Sequence, residues 1–208
     1  MKLNITIIGF GNIGKQIATL LLAQQGEQFR INIIDISDET EGAWLDFNHG
    51  LTLFPGHELI YNDHELMNEA AYIFHCAGAN VPKGKSRLVT CSESIEITEQ
   101  VFENYRPKST ARIIVIANPV EIIAMVTQQI TGLSPEQVIG TGTFLDTLRL
   151  NYIVNQKYPN LDAVKMTAFG EHGSGVFISE SFSSINGQNA KNYMTAKHLA
   201  ELVDEVKG

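Results

Sequence analysis

Leu3-Asn4-Ile5-Thr6-Ile7-Ile8-Gly9-Phe10-Gly11-Asn12-Ile13-Gly14 is the stretch that decides the fold of this chain. The apolar, β-branched run from Leu3 to Ile8 has the pattern of a strand buried on both faces. It breaks at Gly9-x-Gly11-x-x-Gly14 and continues with Ile17, Leu20 and Leu21 at helical spacing. In such a strand–turn–helix the first glycine permits a tight turn and the second lets a pyrophosphate approach the backbone. The third allows the helix to pack close against the strand. The helix N-terminus adds free N–H groups and the positive end of the helix dipole. A glycine triplet alone is weak evidence. Here, however, a second apolar run from Phe29 to Ile34 ends in Asp35, twenty-one residues past Gly14. A carboxylate at that position would accept hydrogen bonds from an adenosine ribose and repel the 2′-phosphate of NADP. The competing role for Asp35 is to cap the following helix. The pattern points to a dinucleotide, NAD rather than NADP, held at Gly9, Gly11, Asn12, Ile13, Gly14 and Asp35.

Composition narrows the field. A chain of 208 residues can bury one large core, or one domain and part of another. A formal charge of −8 and a pI near 5.2 argue against a nucleic-acid partner or a basic membrane-surface face. No apolar run reaches the length of a membrane span, and the N-terminus enters its first strand directly, so no export signal is expected and a cytoplasmic location follows by elimination. Cys76 and Cys91 lack metal-ligand spacing and read as inert thiols rather than a disulfide.

Strand and helix patterns alternate onward from Asp35. Ser37 is expected to cap a helix through Trp44, Leu45 and Phe47 that Gly50 closes. Strands follow at Leu59 to Tyr61, Ala70 to Ala77, Arg112 to Ala117 and Val138–Ile139, with helices over 88–105 and 120–130 and another opening after Thr143. His75, inside a buried-strand pattern, reads as a packed side chain. The segment from Ala79 to Arg87 is polar and broken by Pro82 and Gly84, which suits a closing loop. This alternation predicts an α/β protein with a Rossmann-type doubly wound parallel sheet over 1–142. An incomplete α+β portion over 143–208 is expected to follow. In it Val164 to Phe169 and Val176 to Ser184 form antiparallel strands around Gly170-Glu171-His172-Gly173, before a final amphipathic helix with Leu199, Leu202, Val203 and Val206.

The polar residues at the carboxyl ends of these strands suit hydride transfer between NAD and a 2-hydroxy acid. Such chemistry needs a base for the hydroxyl proton, and histidine titrates in the right range. An Asp on its other ring nitrogen fixes the tautomer and favours imidazolium. One Arg can take a carboxylate with its two-pronged donor, and a second on a closing loop can stabilise developing oxyanion character. His172, Asp146, Arg149 and Arg87 are the candidates, with Asp146 and Arg149 three apart on one helix face. Taken singly, that pair is an ordinary solvated helix pair and His172 an ordinary structural histidine.

Taken together, the motifs resemble the L-lactate and malate dehydrogenase family. The likeness rests on the glycine turn, Asp35, Ala77-Gly78-Ala79-Asn80 with Gly84-x-Ser86-Arg87-Leu88, Asn118-Pro119-Val120, Gly140-Thr141-Gly142, Leu145-Asp146-x-x-Arg149 and Gly170-Glu171-His172-Gly173. It implies that His172 is the proton donor and acceptor, Asp146 its partner, Arg149 the carboxylate anchor and Arg87 the carbonyl-polarising residue. Asn118 would lie near the reacting oxygen and the nicotinamide, and Ala77 and Gly78 would line the cofactor site. Val81 stands at the substrate-discriminating position, where the family carries Gln for lactate or Arg for malate. An apolar 2-oxo acid is therefore expected, as in the related L-2-hydroxyisocaproate dehydrogenases, although Lys83 and Lys85 lie close enough to aid a dicarboxylate. Asn151 and Lys165 replace the Arg and His with which some bacterial members bind fructose 1,6-bisphosphate. Ser174-Gly175 replaces the family's Asp-Ser. The resemblance further implies a homodimer or homotetramer, with the Trp44–Phe47 helix as a candidate interface. Family members continue well past the position of Gly208, so the chain reads as a C-terminally truncated member whose residues 143–208 expose apolar surface. The alternatives are a non-catalytic NAD-binding fragment or remnant of such an enzyme, or a malate dehydrogenase.

Overall fold

The computed structural model describes residues 2–80, 82, 87–103, 105–171, 173 and 175–207, with the side chains of residues 87, 88 and 207 outside that description. The chain divides into two compact units, 1–140 and 141–208, two residues before the change of character expected at 142.

Unit 1 is built on six parallel strands: β1 (Leu3–Ile8), β2 (Phe29–Ile34), β3 (Glu58–Tyr61), β4 (Tyr72–His75), β5 (Arg112–Val115) and β6 (Val138–Gly140). Their order is β3-β2-β1-β4-β5-β6, so the chain starts mid-sheet, winds to one edge, and returns through β4 to the other. The direction of winding therefore reverses between β1 and β4, where Rossmann-type sheets hold their ligands. The connecting helices are α1 (Asn12–Leu22), α2 (Asp38–Gly50), α3 (His64–Asn68), α4 (Cys91–Phe102) and α5 (Val120–Thr131).

Alternation along the strands builds the two faces. Ile5, Ile7, Ile31 and Ile33 form one buried cluster with Ala18 and Leu22 of α1, and Trp44 and Phe47 of α2 pack on it. Ile8, Ile34, Ile73, Ile113 and Val115 form the other with Phe102 of α4 and Val120 and Ile123 of α5. The apolar residues of α2 thus mostly serve the unit's own core, and Leu45 remains 43% exposed.

Four details differ from expectation. The Ser37 side chain makes no capping bond to α2, and Gly50 keeps helical angles inside the helix instead of closing it. The fourth strand is shorter than expected, running from Tyr72 to His75, although the Ala71 and Cys76 N–H groups on either side still donate to the Asn4 and Ile8 carbonyls of β1. The five-residue α3 is too short for sequence periodicity to reveal, and Asp63 caps it by accepting the Leu66 N–H at 2.9 Å.

Unit 2 contains α6 (Phe144–Lys157) and α7 (Ala196–Lys207), with two small antiparallel hairpins between them. The expected long strands are reduced to β7 (Ala168–Phe169) paired with β8 (Phe177–Ile178), and β9 (Ser184–Ile185) pairs with β10 (Gln188–Asn189). Leu150, Val154, Met166, Leu199, Leu202 and Val206 form its buried cluster. Phe144, Tyr152, Phe177 and Phe182 are each more than half exposed. Among the described residues no helix is long and apolar enough to cross a membrane.

His75 is fully buried, its ring edge against Phe102. Thr98 uses its hydroxyl proton on the Ser94 carbonyl (2.8 Å), so at 3.0 Å it must accept the Nε2–H of His75. Nδ1 is then a bare acceptor without a partner among the described residues, and burial depresses the imidazole pKa to about 4. The unfolded chain takes up this proton near pH 6.5, so between pH 6.5 and 4 the unfolded state binds more protons and stability is lost as the pH falls. Denaturant unfolding should lose about 2–3 kcal/mol of stability between pH 7 and 4.5 from this group alone. A His75→Leu variant should show a correspondingly shallower decline.

Candidate functional site

The site begins where β1 ends. Gly9 turns the chain at φ +86°, and its N–H still reaches the Ile34 carbonyl at 2.8 Å. A Cβ at Gly9 would meet the Ala77 nitrogen at 2.6 Å, and one at Gly14 the Gly9 carbonyl oxygen at 2.1 Å. Those two glycines are needed for packing. Gly11 is different, because a Cβ there would meet nothing within 4 Å. Its bare backbone faces open space at the N-terminus of α1, the local geometry a pyrophosphate requires.

Around this turn lies a cleft of about 680 Å³. Gly9, Gly11, Asn12, Ile13, Gly14, Asp35, Ala77 and Gly78 all line it. The carboxyl ends of β1, β2 and β4 thus bring together eight of the nine expected cofactor residues. The ninth, Asn118, is half-buried beyond β5, its carbonyl oxygen 3.8 Å from where a Gly78 Cβ would sit. A narrower apolar slot of about 160 Å³ opens beside Asp35, between Ile8, Ile36, Ile97, Val101 and Tyr105. A charged rim beside an apolar slot suits a ligand that carries both a ribose and a flat aromatic base.

Asp35 is held from several sides. Its Oδ2 accepts the Phe10 N–H at 2.6 Å and its Oδ1 the Ser37 N–H at 2.9 Å. The carboxylate is therefore tied to the glycine turn and does not cap α2. Asn62, which sequence reasoning passed over, binds the Asp35 backbone at both its N–H and its carbonyl. Its signal was the turn-forming dipeptide Asn62-Asp63 after a strand. Ser94 of α4, also overlooked, accepts the Ala79 N–H at 3.1 Å and steadies the segment after Gly78. Cys76 also lines the cleft, and burial pushes its thiol pKa up to about 12. Cys76 and Cys91 are both free thiols.

Unit 2 carries the other candidates. Asp146 is buried at 3% exposure in the first turn of α6, and its Oδ1 lies 3.5 Å from an Arg149 guanidinium nitrogen. That separation is long for a charge-assisted bond, and the Arg149 side chain is 46% exposed. The guanidinium therefore retains donors for an anion. Thr143, just before α6, and Thr147 and Asn151 within it grip the chain that leads into β7. The Thr143 hydroxyl donates to the Ala168 carbonyl at 2.9 Å, and the Thr147 hydroxyl accepts the Ala168 N–H at 3.0 Å. Asn151 donates to the Thr147 and Met166 carbonyls and accepts the Met166 N–H. Its amide is thereby committed to backbone, which leaves it poorly suited to a surface sugar phosphate. Beyond β7, Gly170 turns at φ +102°, where a Cβ would meet the Gly175 carbonyl oxygen at 2.3 Å. His172, Ser174, Val81, Lys83 and Lys85, and the side chain of Arg87, lie outside the described residues. Among the described residues no group of His, Cys, Asp and Glu is arranged to hold a metal ion.

Residues 3–140 match the family model described as the lactate/malate dehydrogenase NAD-binding domain. The L-lactate dehydrogenase of Halalkalibacterium halodurans is 30% identical over 207 residues, an overlap of 98% of this chain and 66% of that enzyme. Among solved structures, the minor L-lactate dehydrogenase of Enterococcus mundtii superposes with a TM-score of 0.82 at 26% identity, covering 99% of this chain and 68% of that one. The malate dehydrogenase of Picrophilus torridus gives 0.81 at 26% identity, covering 100% and 67%. The chain therefore spans just under two thirds of the length of its curated relative. On the match of residues 3–140, the sheet order and the glycine turn beside Asp35, the chain belongs to the lactate/malate dehydrogenase family.

Proposed function

We propose that this protein is an NAD-dependent L-2-hydroxy acid dehydrogenase acting on a 2-oxo acid with an apolar side chain. The observation that carries the proposal is the cleft, in which an open Gly11 backbone and a fixed Asp35 carboxylate flank one end of an apolar slot. NAD, when bound there, supplies the hydride donor or acceptor. Asp35 would receive the ribose hydroxyls, and the Gly11 backbone with the N-terminus of α1 would receive the phosphates.

The remaining steps belong to side chains of this chain. Arg149 would bind the substrate carboxylate through its exposed guanidinium. His172 would take the hydroxyl proton in one direction and return it in the other. Asp146, buried close by Arg149, would hold the second ring nitrogen and favour the charged imidazole. Arg87 would polarise the carbonyl from a closing loop, and Asn118 would donate to the reacting oxygen. Val81 offers no charge to a second carboxylate, and an unpaired anion in a closed site costs on the order of several kcal/mol. Malate chemistry is disfavoured on that ground, with Lys83 and Lys85 nearby in the sequence as cations that would partly offset it.

We further infer a homodimer or homotetramer, as the family resemblance implies, and a cytoplasmic location by elimination. Leu45 is the exposed apolar residue that α2 offers to a partner. A second assignment, an NAD-binding protein without turnover, is favoured by one feature: the whole nucleotide cleft is built from residues of unit 1.

An NADH-oxidation assay over pyruvate, 2-oxoisocaproate and oxaloacetate distinguishes these assignments, with 2-oxoisocaproate expected to turn over fastest and oxaloacetate slowest. His172→Ala should lower kcat by about 10³-fold while the NADH dissociation constant stays within twofold of wild type. If oxaloacetate is reduced fastest, the apolar-substrate assignment is wrong.

The glycines provide a second check. Gly11→Ala should leave the melting temperature within about 2 °C of wild type yet weaken NADH binding by at least about tenfold, because its methyl enters ligand space. Gly14→Ala should instead lower stability by about 2–4 kcal/mol, since backbone must move to admit the methyl. Calorimetric melting and NADH titration of both variants decide the matter.

A further inference from the structure

We propose that Asn62 is the positioning residue for the Asp35 carboxylate and, through it, sets the preference for NAD over NADP. The proposal rests on Asp35 receiving the adenosine ribose, as argued above.

The parallel ladder between β2 and β3 ends with Ile33 opposite Tyr61. At the next residue the Asn62 N–H still donates to the Ile33 carbonyl at 2.7 Å, and the backbone then turns away at φ +50°. Asn is among the few residues that adopt this left-handed conformation readily. No backbone rung follows, yet the Asp35 main chain is paired on both its polar groups. Asn62 Oδ1 accepts the Asp35 N–H at 2.9 Å, and Asn62 Nδ2 donates to the Asp35 carbonyl at 2.8 Å. A side-chain amide thus takes the part of a peptide group and carries the sheet one residue further, to the residue whose carboxylate faces the cleft.

The arrangement is reciprocal. Asn32, fully buried on β2, does for Asp63 what Asn62 does for Asp35. Its Nδ2 donates to the Asp63 carbonyl at 2.6 Å, and its Oδ1 lies 3.3 Å from the Asp63 N–H. The ends of β2 and β3 are locked to each other by two amides running in opposite senses. Neither Asn62 nor Asn32 lines the nucleotide cleft, and Asp35 is the cleft residue whose main chain Asn62 holds.

The lock matters because of what Asp35 must discriminate. With its main chain held and each oxygen already accepting one N–H, the carboxylate stands in a fixed place beside the glycine turn. Each oxygen keeps a lone pair for a ribose hydroxyl. A 2′-phosphate arriving at that spot meets an anion that cannot swing aside without breaking those bonds. Were the main chain of Asp35 free, the carboxylate could turn to solvent, and the same movement would both weaken NADH and admit NADPH. Fixing the main chain therefore supports affinity for one cofactor and exclusion of the other.

The test uses the whole chain, titrated with NADH and with NADPH by calorimetry. Asn62→Gly keeps the left-handed backbone and the bond to Ile33 and deletes only the amide. The expected result is an NADH dissociation constant raised about tenfold with that for NADPH unchanged or lowered, so that the ratio of the two narrows by about tenfold or more. In an Asp35→Ala background the same change should alter neither constant by more than about twofold. If Asn62→Gly does not fold, Asn62→Ser is compared in the same way, the within-variant ratio serving as readout. A ratio left at the wild-type value, or NADH losses that simply add in the double variant, overturns the proposal. Should Asp35→Ala itself leave NADH binding untouched, the ribose-binding assignment falls and this proposal with it. The two failures are told apart by whether the Asp35→Ala effect survives.

Discussion

Three backbone segments meet in unit 1 with no side chain between them, and the rest of the unit is arranged around that contact. The turn after β1, the start of α1 and the end of β4 approach so closely that a single methyl at Gly9 or Gly14 would collide with main-chain atoms. Only glycine satisfies both positions, and the closeness brings free N–H groups of α1 over the carboxyl edge of the sheet. Because β1 lies between β2 and β4, the same contact sets the point at which the sheet changes its direction of winding. The two isoleucine-rich faces hold the strands in register, and the helices on either side close off all but that edge.

Much of this was legible in the residues. Continuous β-branched runs identify strands buried on both faces, and the glycine spacing with Asp35 identifies the ligand edge. His75 was rightly read as a packed side chain, since an uninterrupted apolar run leaves its ring no route to solvent. The sequence was less informative where structure depends on single hydrogen bonds. Asn32 and Asn62 stand in unrelated local contexts, and nothing in their spacing shows that one amide pairs with the Asp63 backbone and the other with that of Asp35. In unit 2 the strands are only two residues long, too short for a period of two to be seen. There the order comes from Thr143, Thr147 and Asn151 gripping the backbone from α6, a role that propensity does not reveal.

The two units differ in how they hold their polar groups. Unit 1 fixes its acidic residue through main-chain donors, which suits a ligand recognised by shape and hydrogen bonding. Unit 2 holds a buried Asp146 near a half-exposed Arg149, an arrangement that leaves positive charge available at the surface. The same unit leaves the aromatic rings of Phe144, Tyr152, Phe177 and Phe182 exposed.

Cys76 carries a chemical consequence. It is among the residues that line the nucleotide cleft, yet burial pushes its thiol pKa up to about 12, well away from the thiolate form at neutral pH. Alkylating reagents and peroxide attack the thiolate, so a cysteine that looks exposed to modification on a map of the cleft is chemically quiet.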